Sequence, residues 1–207
     1  MRYKIFKLVF IIFLLILFVF VSAFSYANAA FADISENFFR LHILANSDSN
    51  EDQTLKLLVR DNVLEYINEI TSSCNNKSEA MVVVSNNLSN IQEIAKQTIL
   101  ENGYNYEVTS EIGRFYFPTK HYGNMSLPAG FYDALRIKIG DAKGQNWWCS
   151  IFPALCFTDV SDGIISEKAQ ENLENSLNDE EINLLFDNCK NIRIKFKIVE
   201  LFEKMSK

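Results

Sequence analysis

Histidine is scarce in this chain: only His42 and His121 occur in 207 residues, and they do not stand at metal-ligand spacing. A zinc site would have to be assembled from distant residues. No nucleophile elbow surrounds a serine or cysteine. The glycines around Asp141-Ala142-Lys143 make no phosphate loop, because their spacing is wrong and no Ser or Thr follows the lysine. Basic stripes are missing as well, and no internal repeat or compositionally disordered segment is present. These absences leave no cofactor, no metal and no catalytic residue to assign, and they disfavour nucleic acid as a partner.

What is abundant is apolar residues, 48% of the chain, and the longest run of them lies at the start. Arg2, Lys4 and Lys7 precede an unbroken apolar stretch from Leu8 to Val21, followed by small residues at Ala23, Ser25, Ala27, Ala29 and Ala30. A positive end, an apolar middle and an Ala27-Asn28-Ala29 site have the layout of an export signal. Its length also stands at the edge of a short membrane anchor, so residues 1–30 read as signal peptide or anchor and 31–207 as the exported domain. Removing the three basic residues with the leader takes the formal net charge from −6 to −9. A body that acidic repels phosphate backbones and anionic lipid, so the membrane is reached only through the N-terminal segment.

Along the body, Asp33 to Asn37 reads as a polar linker. Phe39, Leu41 and Ile43 alternate with Arg40 and His42, the period of a strand with one covered face. Arg40 and His42 would then be solvated alternates. Ser49 with Asp52 resembles a capping box with a shorter acid, opening a helix striped by Leu55, Leu58, Val59, Val63, Ile67 and Ile70. A second amphipathic helix is expected over Ser78 to Glu101, with Gly103 past its end. Strand chemistry resumes at Tyr106 to Phe117. The segment from Pro118 to Gly130 reads as a loop whose Lys120, His121 and Tyr122 are candidate binding residues. Leu135, Ile137 and Ile139 mark the next strand, a short helix opens at Asp179, and Ile192, Ile194, Phe196 and Ile198 mark a last strand.

The stretch from Gly144 to Phe157 holds Trp147, Trp148, Cys149 and Cys156. It is too apolar for solvent and too short for a bilayer, so it reads as a core strand broken at Pro153, with at least one tryptophan buried. Cys149 and Cys156 are either a disulfide, if the chain folds back to within about 7 Å between alpha carbons, or two buried thiols. Together the elements imply a single α/β (α+β) domain: a mixed sheet of about five strands covered by two long helices, plus the shorter C-terminal helix. The strands at 132–139 and 147–152 are expected to form an antiparallel hairpin, since the turn between them is short.

Four segments carry a resemblance: RLHILANSDSNEDQTLKLLVRDNV from Arg40, FPTKHYGN from Phe117, LPAGFYDALRIKIG from Leu127 and GQNWWCSIFPALCF from Gly144. In this order they resemble the stage II sporulation protein R family of endospore-forming bacteria. The resemblance implies a signalling protein rather than an enzyme. It would be made in the forespore, exported to the intermembrane space, and needed there to trigger a membrane-embedded aspartic protease that processes pro-sigma-E. Arg40, His42, Asn46 and Asp48, with Lys120, His121 and Tyr122, are then the candidate partner-binding residues, although Asn46 and Asp48 also suit a turn and a helix cap. The competing reading is an exported thiol enzyme of the cell wall using Cys149 with His42 or His121.

Overall fold

A computed structural model describes residues 2–122, 125–156 and 167–186. Its centre is β1 (Phe39–Leu44), which pairs on both sides. One neighbour is β5 (Gly130–Ile139), parallel to it, and the other is β6 (Asn146–Phe152), antiparallel. The strand β2 (Val108–Phe117) closes the far side of β5, giving a mixed four-stranded sheet of order β2-β5-β1-β6. A separate two-stranded ladder, β3 (Lys120–Tyr122) with β4 (Met125–Leu127), lies outside this sheet. The expected fifth strand, Ile192 to Leu201, falls outside the described residues.

The placement of β1 corrects the expected hairpin. Strands β5 and β6 share a sheet but do not pair, because β1 lies between them. The six residues from Gly140 to Gln145 cross the end of β1 instead of folding back on β5. Gly144 N–H donates to Ala45 O at 3.0 Å and Lys143 N–H to Asn46 O at 3.1 Å. Chain length allowed either arrangement. What selects the crossing is that a strand buried on both faces, as β1 is, gains most when both of its edges are paired.

Alternation along the strands sorts the side chains. Phe39, Leu41 and Ile43 share a face with Leu135 and Ile137 of β5 and with Cys149 and Ile151 of β6, and all are buried. Helices cover this face: α2 (Asn50–Thr71), α3 (Lys77–Asn86) and α4 (Leu88–Glu101). Leu55, Val59, Val63 and Ile67 of α2 are buried, and so are Ile91, Ala95 and Ile99 of α4. Leu58, placed on the apolar stripe by spacing, is 40% exposed.

Two further expectations need correction. The helix expected over Ser78 to Glu101 is broken at Asn87, which leaves helical geometry with φ −107° and ψ 12°. Its side-chain amide donates to Val83 O at 2.9 Å and its Oδ1 accepts from the Tyr66 hydroxyl at 2.9 Å. An asparagine side chain that competes with the helix ladder favours a break over an uninterrupted turn. The Asp33 to Asn37 segment is not a linker but the end of α1 (Arg2–Asn37). Ile34 and Phe38 are fully buried, and Glu36 pairs with Arg114 at 2.8 Å, so the helix terminus is docked on the domain. Near its other end, Ile5–Ser22 forms an exposed 18-residue window of mean hydropathy 3.1, long and apolar enough to cross a membrane. Toward the C-terminus lie α5 (Glu167–Ser176) and α6 (Asp179–Leu185), the latter opened by an Asn178 and Glu181 capping box.

Candidate functional site

Arg40 and His42 project from the face of β1 that the helices leave free, and the expectation that solvent surrounds them is wrong. Arg40 is 0% exposed and His42 5%. The aromatic residues of the neighbouring strands and of the β3–β4 hairpin are what enclose them. The Arg40 guanidinium lies 4.4 Å over the Phe117 ring and 4.9 Å from that of Tyr132. Its Nε donates to Cys149 O at 3.0 Å and its Nη2 to the Tyr122 hydroxyl at 2.8 Å. Aromatic faces and a carbonyl attract a cation without neutralising it. Burial raises the Tyr122 phenol above its ordinary range, although Arg40 pulls it the other way.

Two residues along, His42 stacks on Trp148 with ring centroids 3.7 Å apart and meets Phe117 edge-on. Its Nε2 donates to Asn146 Oδ1 at 3.0 Å. Burial is the main reason its pKa falls to about 4; the Asn146 bond opposes this, while the charges of Arg136, Arg40 and Lys138 add to it. At neutral pH the ring is therefore uncharged. Trp147, by the pleat, points to the opposite face, where the Arg60 guanidinium covers it at 4.3 Å. Both indoles are partly buried against the core.

Asn46 and Asp48 stand at the end of β1, where the Gly140–Gln145 crossing passes. Asn46 Oδ1 accepts from Asp141 N–H at 3.0 Å, and its Nδ2 donates to Asp52 Oδ2 at 2.8 Å. Asp48 Oδ1 accepts from Gln145 N–H at 2.7 Å, and the buried Lys56 donates to Gln145 O at 3.0 Å. Ser49 caps α2 by accepting from Asp52 N–H. Asp52 itself turns back to the Asn46 turn instead of completing a capping box. Burial pushes the Asp52 carboxyl up, but bonds from Ser47, Asn46 and Tyr106 outweigh it and hold the group below the usual carboxylate range. Gly140, at φ +55°, and Gly144 pass so close that a Cβ would strike Asn46 Oδ1 and the Ser47 carbonyl respectively. Asn46 thus ties strand, helix and crossing together, while Asp48 keeps an exposed side chain.

The segment expected as a loop, Pro118 to Gly130, contains the β3–β4 hairpin. Tyr122, Met125 and Leu127 are buried beneath it, and His121 is exposed. The ammonium of Lys120 is held below its ordinary range by burial and then by the charge of Arg40. His121 Nδ1 lies 2.7 Å from Ser126 Oγ. A serine beside an imidazole is half of a nucleophilic pair. Among the described residues nothing orients the second ring nitrogen, and Ser126 is buried between Met125 and Leu127, so the contact is a cross-strand bond.

Cys149 and Cys156 form a disulfide with alpha carbons 5.3 Å apart. Cys149 points to the helix side of the sheet, opposite His42. The thiol pairing it would need for catalysis is not assembled. The residues that sequence reasoning missed are the enclosing aromatics, Phe117 and Tyr132, and the cluster in which Arg136 and Lys138 share Glu111 at 2.7 Å each. Alternation marked those cations as polar positions but could not show which strand would supply their acid.

Fold and site define an α/β domain behind an apolar N-terminal helix, its chemistry-bearing residues spent largely on fixing a hairpin and a strand-end crossing. The chain belongs to the stage II sporulation protein R family, whose model matches residues 35–162. It is similar to the stage II sporulation protein R of Bacillus subtilis (strain 168), 43% identical over 143 residues, which cover 69% of this chain and 63% of the relative. The match therefore spans less than two thirds of the relative's length. No solved structure matches the chain. Membership of the family supports a role in sporulation, and α1 is compatible with an export signal or a membrane anchor.

Proposed function

We propose that this chain is a sporulation signalling protein, exported from the forespore into the intermembrane space, that triggers the membrane-embedded aspartic protease processing pro-sigma-E in the mother cell. The observation that carries the reading is the family match across residues 35–162, a range that contains β1, the hairpin and β6. The apolar helix α1 ahead of an acidic body supports export. The disulfide at Cys149, facing away from His42, favours signalling by contact over thiol chemistry.

Burial changes which residues can make that contact. Arg40, His42 and Tyr122 act as positioning residues from inside, and Asn46 holds the crossing. The partner surface is assigned to the side chains they support: the exposed Asp48 beside the crossing, and the exposed His121 with the half-buried Lys120 on the hairpin. The test is co-purification of the chain with the extracytoplasmic part of the protease, with and without the double change Lys120→Ala and His121→Ala. Capture of the native chain and loss with the variant, at unchanged melting temperature, is the expected result. Equal capture of both would remove the hairpin from the contact, and capture of neither would count against direct recognition.

A further inference from the structure

The Arg40 guanidinium carries a positive charge into a site that is 0% exposed, and no carboxylate among the described residues pairs with it. Its Nη1 has no hydrogen-bond partner among the described residues. Leaving a buried charge unpaired is among the costlier arrangements in a protein interior, and cation–π contacts with Phe117 and Tyr132 offset only part of it. A second positive group leaves the same face of the hairpin: Lys120 lies two residues before Tyr122, the acceptor of Arg40 Nη2, on β3, and its ammonium makes no hydrogen bond or ion pair among the described residues. The other cations of this face, Arg136 and Lys138, are already held by Glu111. One unfilled guanidinium donor and one unpaired ammonium on the same side of the hairpin, with no acid among the described residues to hold them, call for an anion.

We propose that Arg40 Nη1 and Lys120 together receive a carboxylate that enters beneath the β3–β4 hairpin. A carboxylate suits these donors in charge and shape: its two oxygens can take one bond from the guanidinium Nη1 and one from an ammonium. A tetrahedral phosphate is bulkier and brings more charge to desolvate at a guanidinium that is 0% exposed, so the planar carboxylate is the better match. The route in is the hairpin itself. Its strands are three residues each and share no ladder with the four-stranded sheet. Raising it costs the Arg40–Tyr122 bond, the Met125–Phe186 bridge and the burial of Tyr122, Met125 and Leu127. The site stands on the chain alone, whether or not the signalling reading holds, and its ligand is either a small free carboxylate or an acidic side chain of a peptide.

The experiment is thermal melting of the full chain in detergent at neutral pH and constant ionic strength. Sodium acetate, N-acetylglutamate amide and sodium phosphate are each titrated against sodium chloride. The variants are Arg40→Met, which keeps the length and removes the charge, and Lys120→Gln, which leaves Arg40 in place should the first fail to fold. A saturable rise of several degrees with acetate and with N-acetylglutamate amide, weakened by Lys120→Gln and lost in Arg40→Met, supports the site and a free ligand. A rise with N-acetylglutamate amide alone, with the same dependence on the variants, supports the site and a peptide ligand. No saturable rise with either, a rise unchanged in both variants, or an equal rise with phosphate would overturn the proposal.

Discussion

His42 lies flat against Trp148, the two rings 3.7 Å apart between centroids and 15° from parallel. The stack buries an imidazole whose pKa falls to about 4, against about 6.5 in an unfolded chain. Between those values the unfolded state binds a proton that the folded state refuses, so stability drops as pH falls. The contribution is complete above about pH 6.5 and lost progressively toward pH 4, on the order of 3 kcal/mol in total. Urea midpoints across this window should slope downward with acid in the native chain. In His42→Gln the slope should flatten, and an unchanged slope would remove His42 as its cause.

Asn46 is the second place where one side chain decides local architecture. Asn46→Ala leaves the exposed Asp141 N–H to water and the buried Asp52 without one donor, and the latter sets a cost of about 1 to 3 kcal/mol. Gly144→Ala drives a methyl group into the Ser47 carbonyl and should cost a similar amount, about 1 to 3 kcal/mol. Denaturant unfolding measures both. Combined in one chain the two losses should fall short of their sum, because both variants loosen the same crossing.

Much of this was legible in the sequence, and the misreadings have physical causes. The period of two in Phe39, Leu41 and Ile43 identified β1, and Ser49 marked the start of α2. Alternation could not say that Arg40 and His42 are buried, because a polar residue on the second face of a strand is solvated only when nothing covers that face. Here the hairpin does, and its strands are too short to give a period. The pairing of β1 between β5 and β6 was equally hidden, since a six-residue connection serves a tight return or a crossing over one strand. Gly140 and Gly144 were the available signal: two glycines facing Asn46 and Ser47 mark a close backbone approach.

The disulfide closes a short loop, so its removal should cost about 2 to 3 kcal/mol by the loop-entropy estimate. Cys149→Ala with Cys156→Ala should lower the melting temperature accordingly. It should leave pro-sigma-E processing intact under conditions where the variant is folded. Processing abolished in a folded double variant would revive thiol chemistry.

Tyr122→Phe keeps the ring and removes the acceptor of Arg40 Nη2. A loss of about 1 to 3 kcal/mol is expected for a buried charged donor left unsatisfied. Faster amide exchange should be confined to Lys120–Leu127, and uniform exchange across the sheet would contradict the hairpin as an independently opening unit.

The most direct measurement of the signalling role is the ratio of processed to unprocessed sigma-E in sporulating cells whose own member of this family has been replaced by this chain. It is made once with the full chain and once with residues 1–30 removed. Processing should proceed with the full chain and fail with the shortened one, although the latter accumulates inside the forespore. Processing that is equal in the two strains, or missing from both while the full chain is exported and folded, would contradict the account.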